Sequence, residues 1–228
     1  MSTATSHAEE VHTHAHDHEH EHHELNFWRK YVFSTDHKTI AKQYLISGII
    51  WAFIGGSLSI IFRLQLGFPE MQLDWLRPIL GEWIDEGGKL DKEFYLALVT
   101  MHGTIMVFFV LTAGLSGTFS NFLIPLQIGA RDMASGFINM LSYWFFFLSS
   151  AIMFSSLFIE TGPASGGWVI YPPLSALPQA MPGSGLGMTL WLTAMTFFIV
   201  SSLMGGINYI CTVINLRTRG MTFTKMPL

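Results

Sequence analysis

Cysteine is almost missing from this sequence: Cys211 is the only one, and it stands inside an apolar run. No disulfide can form within the chain, a cysteine-rich metal centre is excluded, and the thiol is expected to serve packing. Charge is scarce as well. Asp, Glu, Lys and Arg make up 12% of the 228 residues, against ~25% in an ordinary soluble domain. Nothing in this composition suggests binding to nucleic acid. The net charge of -4 says little about partners, because much of the acidity is confined to the first residues and one connecting segment. What the chain has instead is apolar mass, with 50% hydrophobic residues and a mean hydropathy of +0.40.

The few charges are clustered, which leaves uncharged stretches at Tyr44–Phe62, Phe94–Ala130, Ala134–Ile159 and Thr161–Leu216. Each approaches or exceeds the ~20 residues a membrane-spanning helix needs. The pattern predicts an all-α integral membrane fold of four transmembrane helices, at 40–66, 94–127, 133–160 and 186–214. The stretch from Gly162 to Gly187 carries Pro163, Pro172, Pro173, Pro178 and Pro182, so it reads as an extramembrane loop. Basic residues set the orientation. Arg29, Lys30, Lys38 and Lys42 precede the first helix, Arg131 lies in the second connection, and Arg217, Arg219 and Lys225 follow the fourth helix. The first connection is mainly acidic, and the third, with Glu160, has no basic residue. Both ends of the chain are therefore expected inside.

Residues 1–24 form a unit apart from 25–228. This tail spaces His7, His12, His14, His16, His18, His20, His22 and His23 among acids and small residues, without apolar periodicity. It reads as a disordered, solvated linker. Loose binding of Zn²⁺, Cu²⁺ or Ni²⁺ is the alternative, with no geometry to fix it.

Polar groups inside spanning helices cost several kcal/mol unless paired, wetted or ligated, and so mark candidate sites. His102 is the clearest, about nine residues into the second helix. A neutral imidazole at that depth suits a haem iron, although a histidine satisfied by a neighbouring helix is equally consistent. Arg63 falls near the outer end of the first helix, at a depth expected to match His102. It either snorkels to the headgroups or donates to the edge of a polar cofactor. Asp132 is read as opening the third helix, where the helix dipole and Arg131 would stabilise it. Asn121, Asn139, Ser142, Ser201, Ser202 and Asn208 lie on the inner portions of three helices. They could carry a file of waters from Asp132, or simply glue helices together.

The runs STDHKTIAKQYL, SLSIIFRLQLG, VTMHGTIMVFF, NFLIPLQIGARDMA, GWVIYPPLS and GGINYICTVINLRTRGM together resemble subunit I of the haem–copper oxidases, over about residues 27 to 228. The resemblance implies the first four helices of a fold with about twelve. By motif, His102 resembles one axial ligand of a low-spin haem, most often haem A, and Arg63 the arginine that hydrogen-bonds that haem's formyl group. Trp168 looks like the tryptophan that meets a haem propionate, with Tyr171 in the same loop. Asp132 resembles the mouth of the proton-uptake path, Asn121 and Asn139 its lining, and Asn208, Ser142, Ser201 and Ser202 its further wall. The second axial histidine and the ligands of the high-spin haem and copper belong to later helices, so this segment alone should hold no catalytic residue.

The resemblance further implies O₂ reduction to water with outward proton movement. Expected partners are cytochrome c or a c-type haem domain, a subunit II carrying a copper centre, a subunit III, and the lipid of a bacterial plasma membrane or, alternatively, a mitochondrial inner membrane. Two departures matter. Gln65 replaces a glutamate that often holds a structural Ca²⁺ or Na⁺. Ile54, Leu58, Phe94 and Ala97 replace the polar residues of quinol-oxidising relatives, which favours cytochrome c over quinol as donor. A transporter subunit using His102 and Asp132 as a proton relay is the rival from another class. A membrane cytochrome b would need paired histidines, and His102 is alone among the four spans.

Overall fold

The computed structural model describes residues 26–227, and the reading of the histidine-rich tail lies outside them. Four long apolar helices carry the architecture: α1 (His37–Gly67), α2 (Lys92–Ile128), α3 (Gly136–Ser156) and α4 (Leu186–Asn215). At about 1.5 Å per residue, each is long enough for the ~30 Å hydrocarbon layer. The all-α expectation holds: a single bridge between Ile84 and Leu90 is the only β pairing among the described residues.

Capping side chains explain where the helices begin. Asp36 accepts hydrogen bonds from the Thr39 amide and hydroxyl, at 2.9 and 3.0 Å, which starts α1 three residues earlier than expected. The Asp91 carboxylate does the same for α2, accepting from Glu93 and Phe94. Ser135 caps α3 through the Ile138 amide. The third helix is therefore shorter than expected at both ends, and Asp132 stands in the connection before the cap rather than opening the helix. Its placement needs an explanation other than the helix dipole.

The helix α2 is not uniform. Lys92–Thr104 and Gly117–Ile128 are α-helical, but Ile105–Ser116 is wound more widely, in π geometry. The Thr112 hydroxyl accordingly donates to the Val107 carbonyl five residues back, at 2.8 Å. Within this stretch α1 and α2 touch backbone to backbone. A methyl group on Gly48 would lie 2.8 Å from the Gly114 Cα, a distance no real contact tolerates.

The core is aromatic and centred on the fully buried Phe109. Its ring packs 5.1 Å from Trp51 of α1, 5.9 Å from Phe146 of α3 and 5.7 Å from Phe198 of α4, joining all four helices. Elsewhere the distribution is inverted relative to a water-soluble protein. Ile49, Phe53, Leu111, Phe119, Ile207 and Ile210 are exposed, whereas Thr104, Asn121, Asn139, Ser149, Asn208 and Thr212 are buried. An exterior of this kind needs hydrocarbon around it.

The connection between α1 and α2 is folded rather than slack, which its charged sequence does not announce. Short helical turns at Asp74–Leu76, Arg77–Leu80 and Gly81–Trp83 bury Leu73, Leu76, Leu80, Ile84 and Leu90 against Phe62, Phe94 and Leu98. Gln65 staples it to α1. Its Oε1 accepts from the Leu90 amide at 2.9 Å, and its Nε2 donates to the Pro69 carbonyl at 3.3 Å.

Candidate functional site

His102 is half-buried and turned toward α1, where its Nδ1 lies 2.8 Å from the Gly55 carbonyl oxygen. A carbonyl can only accept, so Nδ1 carries a proton, and in the neutral imidazole Nε2 keeps its lone pair. This is the tautomer of a metal-ligating imidazole, oriented by an acceptor behind it. The Phe62 ring meets the imidazole edge-on at 5.8 Å and restricts its rotation. Beside this pair the surface is stripped: a Cβ added at Gly56 or at Gly103 would meet nothing within 4 Å. Open backbone at Gly56 and Gly103, each next in sequence to a member of the hydrogen-bonded pair, leaves room for a flat macrocycle, and the lone-pair donor fits a haem iron.

Arg63 is exposed and makes no hydrogen bond or ion pair among the described residues. It follows Gly56 by seven residues, so it shares the Gly56 stripe about 10 Å further along α1. Its neighbour Phe62 meets the imidazole ring at 5.8 Å, while the imidazole Nδ1 reaches back to Gly55. A long guanidinium side chain can still overhang the open surface at Gly56.

Trp168 and Tyr171 are exposed in the connection between α3 and α4. The Gly167 amide donates to Thr100 Oγ1 at 2.8 Å, and Trp168 packs edge-on against Phe108 at 5.8 Å. Phe108 in turn contacts Phe198 of α4. His102 faces α1 whereas this loop sits on the α4 side of α2, so Trp168 and Tyr171 are not gathered around His102.

At the opposite end of the bundle, His37 Nδ1 lies 3.0 Å from Asp132 Oδ1. The Met133 amide donates to the same oxygen at 2.7 Å. His37 is only 3% exposed and the Asp132 side chain 47%, so a buried imidazole holds a carboxylate that reaches the surface. Asp36 joins them, the three residues offering one polar atom each within 4.8 Å of one another. Two contacts from α4 fix the connection that carries Asp132. Asn208 Oδ1 accepts from the Ser135 amide and Thr212 Oγ1 from the Ala134 amide, both at 2.9 Å.

Behind Asp132, Asn121, Asn139, Ser142, Ser201 and Asn208 are buried, and Ser202 alone of the expected wall is exposed. Both amide atoms of Asn139, Oδ1 of Asn121, Nδ2 of Asn208 and Nε2 of His37 are buried without a partner among the described residues. Each such atom costs ~1–3 kcal/mol if left dry. Several on neighbouring residues mark a place for water. Reading the sequence missed His37 and Tyr209, whose hydroxyl lies 3.0 Å from Asn121 Nδ2. An Asp–His pair directly before an apolar run was the available signal for the first. The four positions that differ from quinol-oxidising relatives are apolar contacts here: Phe94 and Ala97 are buried, and Ile54 and Leu58 pack against the core.

Four apolar spans, a greasy exterior and a buried polar column define a polytopic integral membrane protein. The chain matches the family described as Cytochrome C and Quinol oxidase polypeptide I over residues 39–228. It is 42% identical over 206 residues to the alternative cytochrome c oxidase subunit 1 of Bradyrhizobium diazoefficiens, covering 90% of this chain and 32% of that protein. The heme-copper oxidase subunit I+III of Aeropyrum pernix is 34% identical over 199 residues, 87% of this chain and 22% of its own length. The quinol oxidase subunit 1 of Bacillus subtilis is 34% identical over 201 residues, 88% of this chain and 28% of its own length. The chain therefore belongs to the cytochrome c and quinol oxidase polypeptide I family, the haem–copper oxidase subunit I family that its motifs resemble. It spans about a third or less of the length of these relatives.

Proposed function

We propose that this chain is the N-terminal part of the catalytic subunit of a proton-pumping cytochrome c oxidase, an oxidoreductase and translocase that reduces O₂ to water. The observation that carries the reading is the His102–Gly55 hydrogen bond, which leaves a neutral Nε2 beside bare backbone. His102 would hold a low-spin haem, haem A by motif, with Arg63 donating to its formyl edge. Such a haem, when bound, supplies reversible one-electron transfer. Gly55 and Phe62 orient the ligand. Trp168 and Tyr171, on the other side of α2, are proposed to hydrogen-bond the acidic edge of a second haem, with copper beyond this segment.

Asp132 is proposed as the mouth of the proton-uptake path. His37 holds the carboxylate in place, Asn121, Asn139 and Asn208 orient waters, and Ser142, Ser201 and Ser202 continue the wall. Clustered basic residues at this end support an inside location for it, with both ends of the segment inside. We further propose a bacterial plasma membrane, with a copper-bearing subunit II and a subunit III as partners and cytochrome c as donor.

The apolar character of Ile54, Leu58, Phe94 and Ala97 supports cytochrome c over quinol, since none can hydrogen-bond a quinol head. The quinol oxidase relative keeps the alternative open to one experiment. The purified complex is expected to oxidise reduced cytochrome c and not a short-chain quinol, and the reverse outcome would reassign it. A dithionite-reduced spectrum without Soret and visible haem bands would instead favour a non-redox transporter.

A further inference from the structure

We propose that Tyr209 is a positioning residue for proton uptake: it fixes the amide of Asn121 and joins it to a hydroxyl-lined water cavity between α1, α2 and α4. This rests on the reading of Asp132 as the mouth of the path. Asn121 is fully buried, and its Nδ2 donates to the Gly117 carbonyl at 2.7 Å. A carbonyl cannot donate, so the amide nitrogen must face Gly117, and the contact at 3.0 Å to Tyr209 is a second N–H donated to the phenol oxygen. Both amide protons are then used. Oδ1, which has no partner among the described residues, is left to accept from a water of the file.

Tyr209 accepts in this bond, so its own proton remains available. A cavity of about 60 Å³ adjoins it; six of its ten lining residues carry hydroxyls, Tyr44, Thr112, Ser116, Ser201, Ser202 and Tyr209, and the rest are small or apolar. One water needs ~10–15 Å³ of such space, so the cavity holds a few. The hydroxyl of Tyr44, another lining residue, lies 3.1 Å from Ser142 Oγ. The cavity thus bridges Asn121, through Tyr209, to Ser142, through Tyr44. It gives Ser202, exposed on α4, a role that direct contact with the asparagines does not. Tyr209 neither gains nor loses a proton in this scheme. It sets which atom of Asn121 faces water and supplies one donor to the cavity.

The test uses the intact complex reconstituted in vesicles, with protons released per electron and the rate of proton uptake measured during turnover. Tyr209→Phe removes the hydroxyl and keeps the ring. Uptake is expected to slow about fivefold, the factor carried by one neutral hydrogen bond, with an unchanged haem spectrum showing that the fold is kept. Adding Tyr209→Phe to Asn121→Ala should slow uptake by less than Tyr209→Phe does alone, because the part of its effect that runs through Asn121 is already lost. Unchanged uptake in Tyr209→Phe, or full additivity in the double variant, overturns the proposal while Asp132→Asn still impairs pumping. Normal pumping in Asp132→Asn would overturn the path itself, and this proposal with it.

Discussion

The Nδ1–H of His102 donates to the Gly55 carbonyl across 2.8 Å, so α1 decides which nitrogen of an α2 imidazole remains for a ligand. The proton cannot move to Nε2 without leaving two lone pairs facing each other. The bond therefore does more than fill a hydrogen-bonding valence in an apolar helix: it selects the metal-ready tautomer.

Replacing His102 by Ala should accordingly abolish the low-spin haem absorbance of the complex. Helix packing is expected to survive, because the ring is only half-buried and touches a backbone carbonyl and the edge of Phe62. Full low-spin absorbance in the purified variant would rule out the ligand role.

Gly56 offers a sharper contrast, since a Cβ there meets no protein atom within 4 Å. In this chain alone Gly56→Leu is nearly free of steric cost. With a macrocycle against that face, it should lower haem content per complex several-fold, readable by pyridine haemochrome. Gly114→Leu is the opposite case: its Cβ falls 2.9 Å from the Gly48 Cα, and backbone cannot yield. Overpacking costs typically ~1–3 kcal/mol, so that variant should lower the thermal stability of the complex whatever its haem content. Equal haem loss from both variants would mean that Gly56 reports packing rather than a cofactor face.

The four spans were legible because uncharged length is a one-dimensional property, and the polar residues His102, Asp132, Asn121, Asn139 and Asn208 were legible because each violates it. What could not be read are relations between helices. The Gly55 carbonyl carries no signal in sequence, and the His37–Asp132 pair joins residues far apart in the chain. Asp132 looked like a helix opener because it precedes an apolar run, but the cap that starts α3 is Ser135. The fold of the 68–91 connection was hidden for a similar reason. Its buried leucines, Leu73, Leu76, Leu80 and Leu90, are spaced by charges and fall in or beside short turns rather than on one periodic element.

In that connection Gln65 makes a local prediction. Gln65→Leu removes the acceptor of the Leu90 amide, and an unpaired amide costs ~1–3 kcal/mol. Hydrogen exchange over residues 68–91 should quicken severalfold, with α3 unaffected. Gln65→Glu keeps an acceptor oxygen and should preserve protection. Equal exchange in all three proteins would show that apolar packing alone holds the connection.

Asp132 and His37 make a graded pair of variants. Asp132→Asn keeps the shape of the side chain but neither titrates nor attracts protons, so proton pumping should be strongly depressed. His37→Gln is gentler. It leaves the carboxylate and the Met133 amide contact intact but replaces the buried donor that ties α1 to the connection. Uptake should slow by less than in Asp132→Asn, and the double variant should match Asp132→Asn alone, because His37 acts only through the carboxylate. A His37 variant as impaired as Asp132→Asn would mean that the imidazole itself carries protons. An unimpaired one would mean that the Met133 amide and the contacts from Asn208 and Thr212 suffice to hold Asp132 in place.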